Sequence, residues 1–251
     1  MAVAAMLSAT VAGAVGEPKT GPAQPRIPIP PPLVPAAALG PVAQPPKPKP
    51  AGFTVEQVKS GAAVPLHSKP GGPVIARAPS RTQFGSPQTL TVAGRLGGWL
   101  AVINEDVRDG GVAWIKAHTP AVKPKRTDVA LRVDLHRKQL QLVDGHRVEK
   151  RMEVGVGRPG SPTPTGRFSI TDKLPGNRYG GSYGCCILAL SGTQNRLPPG
   201  WRGGNRLAIH GTNDPGTIGR RSSAGCLHAD ARDLKLLMRK VALGTPVFIH
   251  R

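Results

Sequence analysis

The segment IHGTNDPGTIGRRSSAGCLH, Ile209 to His228, decides how this chain is read. It opens on an apolar strand that ends in His-Gly. It runs through a loop rich in Asn, Asp, Pro and Gly, residues that turn the chain. It closes on a cysteine in the pattern Ser-x-Gly-Cys. A free cysteine is mostly protonated at neutral pH, so a nucleophilic one needs a base. It also needs backbone N–H groups aimed at the oxyanion that develops during attack. His210, at the strand end, is the candidate base, and Cys226, sixteen residues later, is the candidate nucleophile. Gly225 gives a ligand carbonyl room to approach the Cys226 N–H.

A second stretch, GSYGCC from Gly181 to Cys186, carries the same pattern. It runs directly into the apolar Ile187-Leu188-Ala189-Leu190, and no histidine lies near it in sequence. Cys185 and Cys186 therefore read as structural cysteines at the start of a buried strand. Three cysteines, two of them adjacent, make no disulfide framework. No Cys-x-x-Cys or paired Cys/His zinc pattern is present, so neither a metal nor a cofactor is expected.

Outward from the cysteine, Leu234, Leu237, Met238 and Val241 fall on one helical stripe. Asp230 reads as its N-cap, Asp233 as a capping-box partner, and Gly244 as its C-terminal stop. This is the one helix expected. Pro246 to His250 reads as a closing strand. Upstream, Val129 to Leu135, Gln139 to Val143 and Glu149 to Val156 alternate as half-buried strands do. The run Pro162-Thr163-Pro164-Thr165-Gly166 reads as a rigid turn before a strand over Arg167 to Thr171.

The order of these parts resembles the L,D-transpeptidase catalytic domain family. The resemblance covers 127–251 and rests on His-Gly, the Ile-Gly step, Ser-x-Gly-Cys, the PTPTG turn, the helix after the cysteine and the G-T-P-V strand. It implies a β-sandwich with one main helix. It also implies a peptidoglycan enzyme of cell-wall synthesis and cell shape. In that reading the Cys226 thiolate acylates on a tetrapeptide stem and releases the terminal D-Ala. His210 serves as base and then acid, and a diaminopimelate-type amine resolves the thioester. Water as acceptor would make it a carboxypeptidase instead, and a non-catalytic wall-binding protein is the alternative from another class. Gly211 stands where the family has a carbonyl that orients the histidine. Ser223 and Gly225 shape the cysteine turn, with the Gly225 and Cys226 N–H groups as oxyanion donors. Where the family often has a second histidine, this chain has Ala224. His228 is either a substrate contact or a loop histidine. Arg220 and Arg221 either pair with substrate carboxylates or form a solvated basic loop. Carbapenem-type inhibitors are expected to acylate such a cysteine.

The N-terminal half has a different character. Residues 1–16 are small and apolar, and read as a secretory signal or an Ala-rich tail. Residues 17–52 form a linker, because thirteen prolines between Pro18 and Pro50 preclude helix and sheet ladders. Residues 53–119 read as a small all-β unit with turns at Pro70-Gly71-Gly72 and Gly97-Gly98. Its P-G-G turn, GGW and GG-x-x-W resemble a bacterial SH3-like barrel, with Trp99 and Trp114 either in its core or lining a groove. Residues 120–126, PAVKPKR, read as a second linker.

Thirty-four Lys and Arg stand against 14 Asp and Glu, a net charge of +20. The basic residues are spread without a dense run and without a nucleic-acid-binding motif. An anionic cell wall is the expected partner, and nucleic acid is not. The expected location is outside the cytoplasm, secreted or tethered at the wall. The whole is expected to be mainly β.

Overall fold

In the computed structural model, residues 52–107 and 111–251 are described. The apolar N-terminus and nearly all of the Pro-rich linker lie outside the described residues. What is described is mainly β, with a single α-helix.

Strands β1 (Phe53–Val58), β2 (Ala63–His67), β3 (Val74–Pro79), β4 (Thr89–Leu96), β5 (Trp99–Ile103), β6 (Ala113–Lys116) and β7 (Val122–Thr127) form one sheet. Its order is β3-β2-β6-β5-β4-β1-β7. Leu66, Leu90, Val102 and Ile115 fill its core. Trp99 and Trp114 are half-buried and stand outside that core cluster. Trp99 packs edge-on against His67, with centroids 4.9 Å apart. The expected linker at 120–126 is corrected: β7 pairs with β1 from Phe53↔Thr127 to Val58↔Val122. Val122 is buried. Pro124 is tolerated because β7 is an edge strand, where a missing N–H leaves no ladder bond unmade.

The second sheet contains nine strands. They are β8 (Val129–Asp134), β9 (Gln139–Asp144), β10 (Arg147–Gly157), β11 (Gly166–Pro175), β12 (Cys186–Thr193), β13 (Arg206–His210), β14 (Arg221–Ser223), β15 (Leu227–Ala229) and β16 (Pro246–His250). Two long strands cross between layers and close the fold. β11 pairs with β16 through Gly166–Ser169, then with β12 through Ile170–Pro175. β10 pairs with β9 through Arg147–Glu153, then with β15 and β14 beyond it. These exchanges of partner along β10 and β11 turn one sheet into two packed faces. Leu131, Leu140, Ile170, Leu188, Leu190, Leu207, Ile209 and Leu227 are sealed between them.

Helix α1 (Ala231–Lys240) packs on β12. Leu234 and Leu237 are wholly buried, as the apolar stripe requires. Asp230 caps it, its Oδ1 accepting from the Arg232 N–H at 2.7 Å. Asp233 sits in the first turn without making the cap bond. The helix ends at Lys240, so Gly244 is not its stop. Gly244 has φ +82°, and a Cβ there would strike Val55 of β1. Its carbonyl accepts from the Thr91 hydroxyl at 2.7 Å. The glycine is needed where the first sheet touches the second.

Three further contacts join the sheets. The Thr82 hydroxyl donates to Asp172, Phe84 packs edge-on against Tyr179, and the Arg206 guanidinium pairs with Glu105 at 2.8 Å.

Candidate active site

The site is assembled by β13 and β15, which run parallel with Ile209 opposite Leu227 and His210 opposite His228. Side chains alternate along a strand, so Ala208 and His210 share a direction. Cys226 immediately precedes β15, which places its sulfur beside β13. The Ala208 N–H points to that sulfur, and the Arg206 carbonyl lies 3.8 Å from it. His210 and Cys226 line one cleft of about 350 Å³ together with His228, Tyr183 and Trp201.

His210 is buried, with 6% of its surface exposed. Its Nδ1 lies 2.6 Å from the Gly211 carbonyl. A carbonyl only accepts, so Nδ1 carries the proton and Nε2 keeps its lone pair. The Gly211 carbonyl thus orients the imidazole. Burial, with the His228 ring beside it, pulls the imidazole down to about 4, against the Gly211 hydrogen bond. Burial pushes the Cys226 thiol up to about 11, partly offset by the Ala208 N–H. At neutral pH the resting pair is therefore a thiol and a neutral imidazole.

The cysteine turn is stapled by Ser223. Its hydroxyl donates to the Cys226 carbonyl at 2.6 Å and accepts from the Gly225 N–H at 3.0 Å. This corrects the expected oxyanion pair: the Gly225 N–H is engaged by Ser223, which leaves the Cys226 N–H as the turn's candidate donor. Gly225 has φ +123°, and a Cβ there would collide with the Gln194 amide. Gln194 itself is buried. Its Nε2 donates to the carbonyls of Pro162 at 2.8 Å and Ala224 at 3.3 Å. Its Oε1 accepts from the Arg196 N–H at 2.8 Å. One amide therefore ties the PTPTG turn, the loop after β12 and the cysteine turn together. The sequence reading missed Gln194, because no local pattern marks it.

His228 is half-buried in the cleft, its Nδ1 2.9 Å from the Thr217 hydroxyl and its ring 4.9 Å from that of His210. Burial lowers it from its ordinary range, against Asp214. Arg220 and Arg221 do not line this cleft. Arg221 lines a neighbouring one.

The second Ser-x-Gly-Cys stretch is not a bystander. Ile187 on β12 is the register partner of His210, and the Gly211 N–H donates to the Cys186 carbonyl at 3.2 Å. Tyr183, from the same stretch, packs tilted against the His210 ring, with centroids 4.9 Å apart. Burial and the neighbouring Cys226 raise its phenol above the ordinary value. Cys185 and Cys186 are joined to each other by a disulfide, a pairing not foreseen from the sequence, and Cys226 is the free thiol.

The family model for the L,D-transpeptidase catalytic domain matches residues 128–249. The chain is 32% identical over 126 residues to the YkuD protein of Bacillus licheniformis, named as an L,D-transpeptidase, covering 50% of this chain and 68% of that protein. It is 34% identical over 119 residues to the YkuD protein of Bacillus subtilis, covering 47% and 64%. It thus spans about two thirds of the length of these relatives. Among solved structures, L,D-transpeptidase 3 from Mycobacterium tuberculosis with a faropenem-derived adduct is similar, at 18% identity and a TM-score of 0.38, covering 56% of this chain and 73% of that one.

Proposed function

Because the chain belongs to the family of L,D-transpeptidase catalytic domains, we propose that it transfers an acyl group from one peptidoglycan stem to another through Cys226. The observation that carries this reading is the parallel pairing of β13 with β15, which sets an oriented imidazole and the free thiol in one cleft.

The steps follow from the resting protonation states. His210 Nε2 takes the Cys226 proton as sulfur attacks the carbonyl of the third residue of a tetrapeptide stem. The carbonyl oxygen becomes an oxyanion beside the Cys226 N–H. His210 returns the proton to the leaving nitrogen, the C–N bond breaks, and D-Ala departs. The acyl thioester remains. An amine from a neighbouring stem, deprotonated by His210, attacks the thioester, and the thiol is regenerated as the cross-link forms. The Gly211 carbonyl steadies the imidazolium in both halves. His228 and Tyr183 frame the histidine within the cleft.

The first sheet is proposed to resemble an SH3-like wall-binding unit, and the protein is proposed to work outside the cytoplasm against an anionic wall. Purified protein incubated with a disaccharide-tetrapeptide tests the function. Release of D-Ala with formation of a dimer, both absent in Cys226→Ala, supports it. Unchanged substrate, or turnover that persists in Cys226→Ala, refutes it.

A further inference from the structure

A second cleft, of about 580 Å³, lies against the cysteine turn, and Gln194 is in the wall of both clefts. Leu135 and Val156 give it an apolar part, no Asp or Glu side chain lines it, and Arg251, the last residue of the sequence, lies along it. Arg196 and Arg221 stand on its rim, and neither pairs with a carboxylate among the described residues. Of the two, Arg221 is held through its side chain. Arg221 sits on β14, which pairs with the end of β10, and its Nη2 donates to the Leu135 carbonyl at 3.3 Å. One donor anchors the guanidinium, which carries further N–H groups to offer a ligand. The backbone of Arg196 is tied by its main-chain N–H to the Gln194 side chain, which fixes where its side chain leaves the loop.

A held guanidinium with spare parallel N–H groups matches a carboxylate in a bidentate fork. The lip of the cleft decides what carries that carboxylate. Pro162 and Pro164 remove two backbone donors there, so the lip is poor in donors. A phosphodiester chain brings acceptors only and would meet this lip badly. A peptide brings N–H donors, apolar side chains for Leu135 and Val156 and a carboxylate for the arginines.

We infer that this cleft binds a carboxylate of a second peptide stem and holds that stem beside the catalytic cleft. The inference rests on the peptidoglycan reading above and goes beyond it by assigning Arg196 and Arg221 to a separate peptide site.

The test uses the whole protein with the catalytic cleft blocked by carbapenem acylation of Cys226. It is titrated by calorimetry with the tetrapeptide L-Ala-γ-D-Glu-diaminopimelate-D-Ala, with the same peptide amidated at every carboxyl, and with inorganic phosphate. The acylated protein is expected to bind the free-acid peptide. Its affinity is expected to fall roughly tenfold on amidation or in Arg196→Gln/Arg221→Gln, in line with losing a charge-assisted pair. Arg196→Gln alone is expected to give a partial loss, and thermal melts are expected to show both variants folded. Absence of binding to the acylated protein overturns the inference. So does unchanged binding in the double variant, or displacement of the peptide by phosphate at equal concentration. A protein that resists acylation contradicts the catalytic reading instead. The titration is then made on the unmodified chain, where dependence on the two arginines tests the cleft by itself.

Discussion

Gly184 and Gly211 pack backbone against backbone. A Cβ on Gly211 would lie 2.9 Å from the Gly184 Cα, and one on Gly184 would lie 2.8 Å from the Gly211 Cα. Gly184 also has φ +59° with ψ −143°, a region that side chains avoid. This contact lets the SYGCC stretch close over His-Gly and carries Tyr183 to the imidazole. Gly184→Ala is expected to cost about 1–3 kcal/mol, a fall in Tm of about 2–12 °C for a chain of this size. Turnover should fall with it, because the histidine loses its neighbour. A variant with native Tm and native turnover contradicts the packing argument.

The thiol of Cys226 is held high and the imidazole of His210 low, both through burial. Alkylation of Cys226 by iodoacetamide should therefore accelerate about tenfold per pH unit through the alkaline range, following the thiolate fraction. A plateau reached near pH 6–7 would reveal a preformed thiolate-imidazolium pair and contradict the neutral resting state.

The same burial makes stability depend on pH in the acid range. His210 titrates near 6.5 when unfolded and at about 4 when folded. Between those values the unfolded chain binds the extra proton. Stability is therefore full above pH 6.5 and is lost as pH falls toward 4. His228, also lowered by burial, acts in the same direction. Urea melts at pH 7.5 and 5 should show the lower midpoint at pH 5. His210→Gln should reduce the difference, and an undiminished difference would assign it to other groups.

Gln194 is expected to be a positioning residue. Gln194→Ala leaves the Ala224 and Pro162 carbonyls and the Arg196 N–H without their partner, costing about 1–3 kcal/mol. Displacement of the cysteine turn should lower kcat by roughly 10²-fold with little change in KM. Gln194→Glu keeps the acceptor and loses the donors, so it should also be slow. A Gln194→Glu enzyme with native kcat shows that the amide donors do not position the turn.

Glu105 and Arg206 tie the two sheets at a point where the Arg206 carbonyl also meets the Cys226 sulfur. Their side chains are only 8% and 16% exposed. A double-mutant cycle with Glu105→Gln and Arg206→Gln should give a coupling of about 0.5–3 kcal/mol in unfolding. Coupling indistinguishable from zero would show that the pair does not join the sheets.

Much of this was legible in the sequence, for a physical reason. The period-two runs and the apolar stripe of α1 are local patterns, and β13, β16 and α1 begin where those patterns begin. His210 and Cys226 were legible because their setting, a strand end and a glycine turn, is written in neighbouring residues. Other features were not. Pro124 disguised β7 as a linker, since a proline-bearing edge strand and a linker look alike until the partner strand is known. Tyr183 and Gln194 are far from Cys226 in sequence, and only the β12–β13 pairing and the loop closure bring them close. The role of Gly244 belongs to an approach of β1 that no local pattern announces.

The central claim is that Cys226, and not the cysteines of the neighbouring SYGCC stretch, is the nucleophile. Peptide mapping by mass spectrometry after exposure to a carbapenem tests it most directly, since such a ring is a strained amide offered to the same attack. One adduct is expected, on the peptide containing Cys226. It should vanish in Cys226→Ala and persist in the Cys185→Ala/Cys186→Ala variant. An adduct mapped to Cys185 or Cys186 would contradict it.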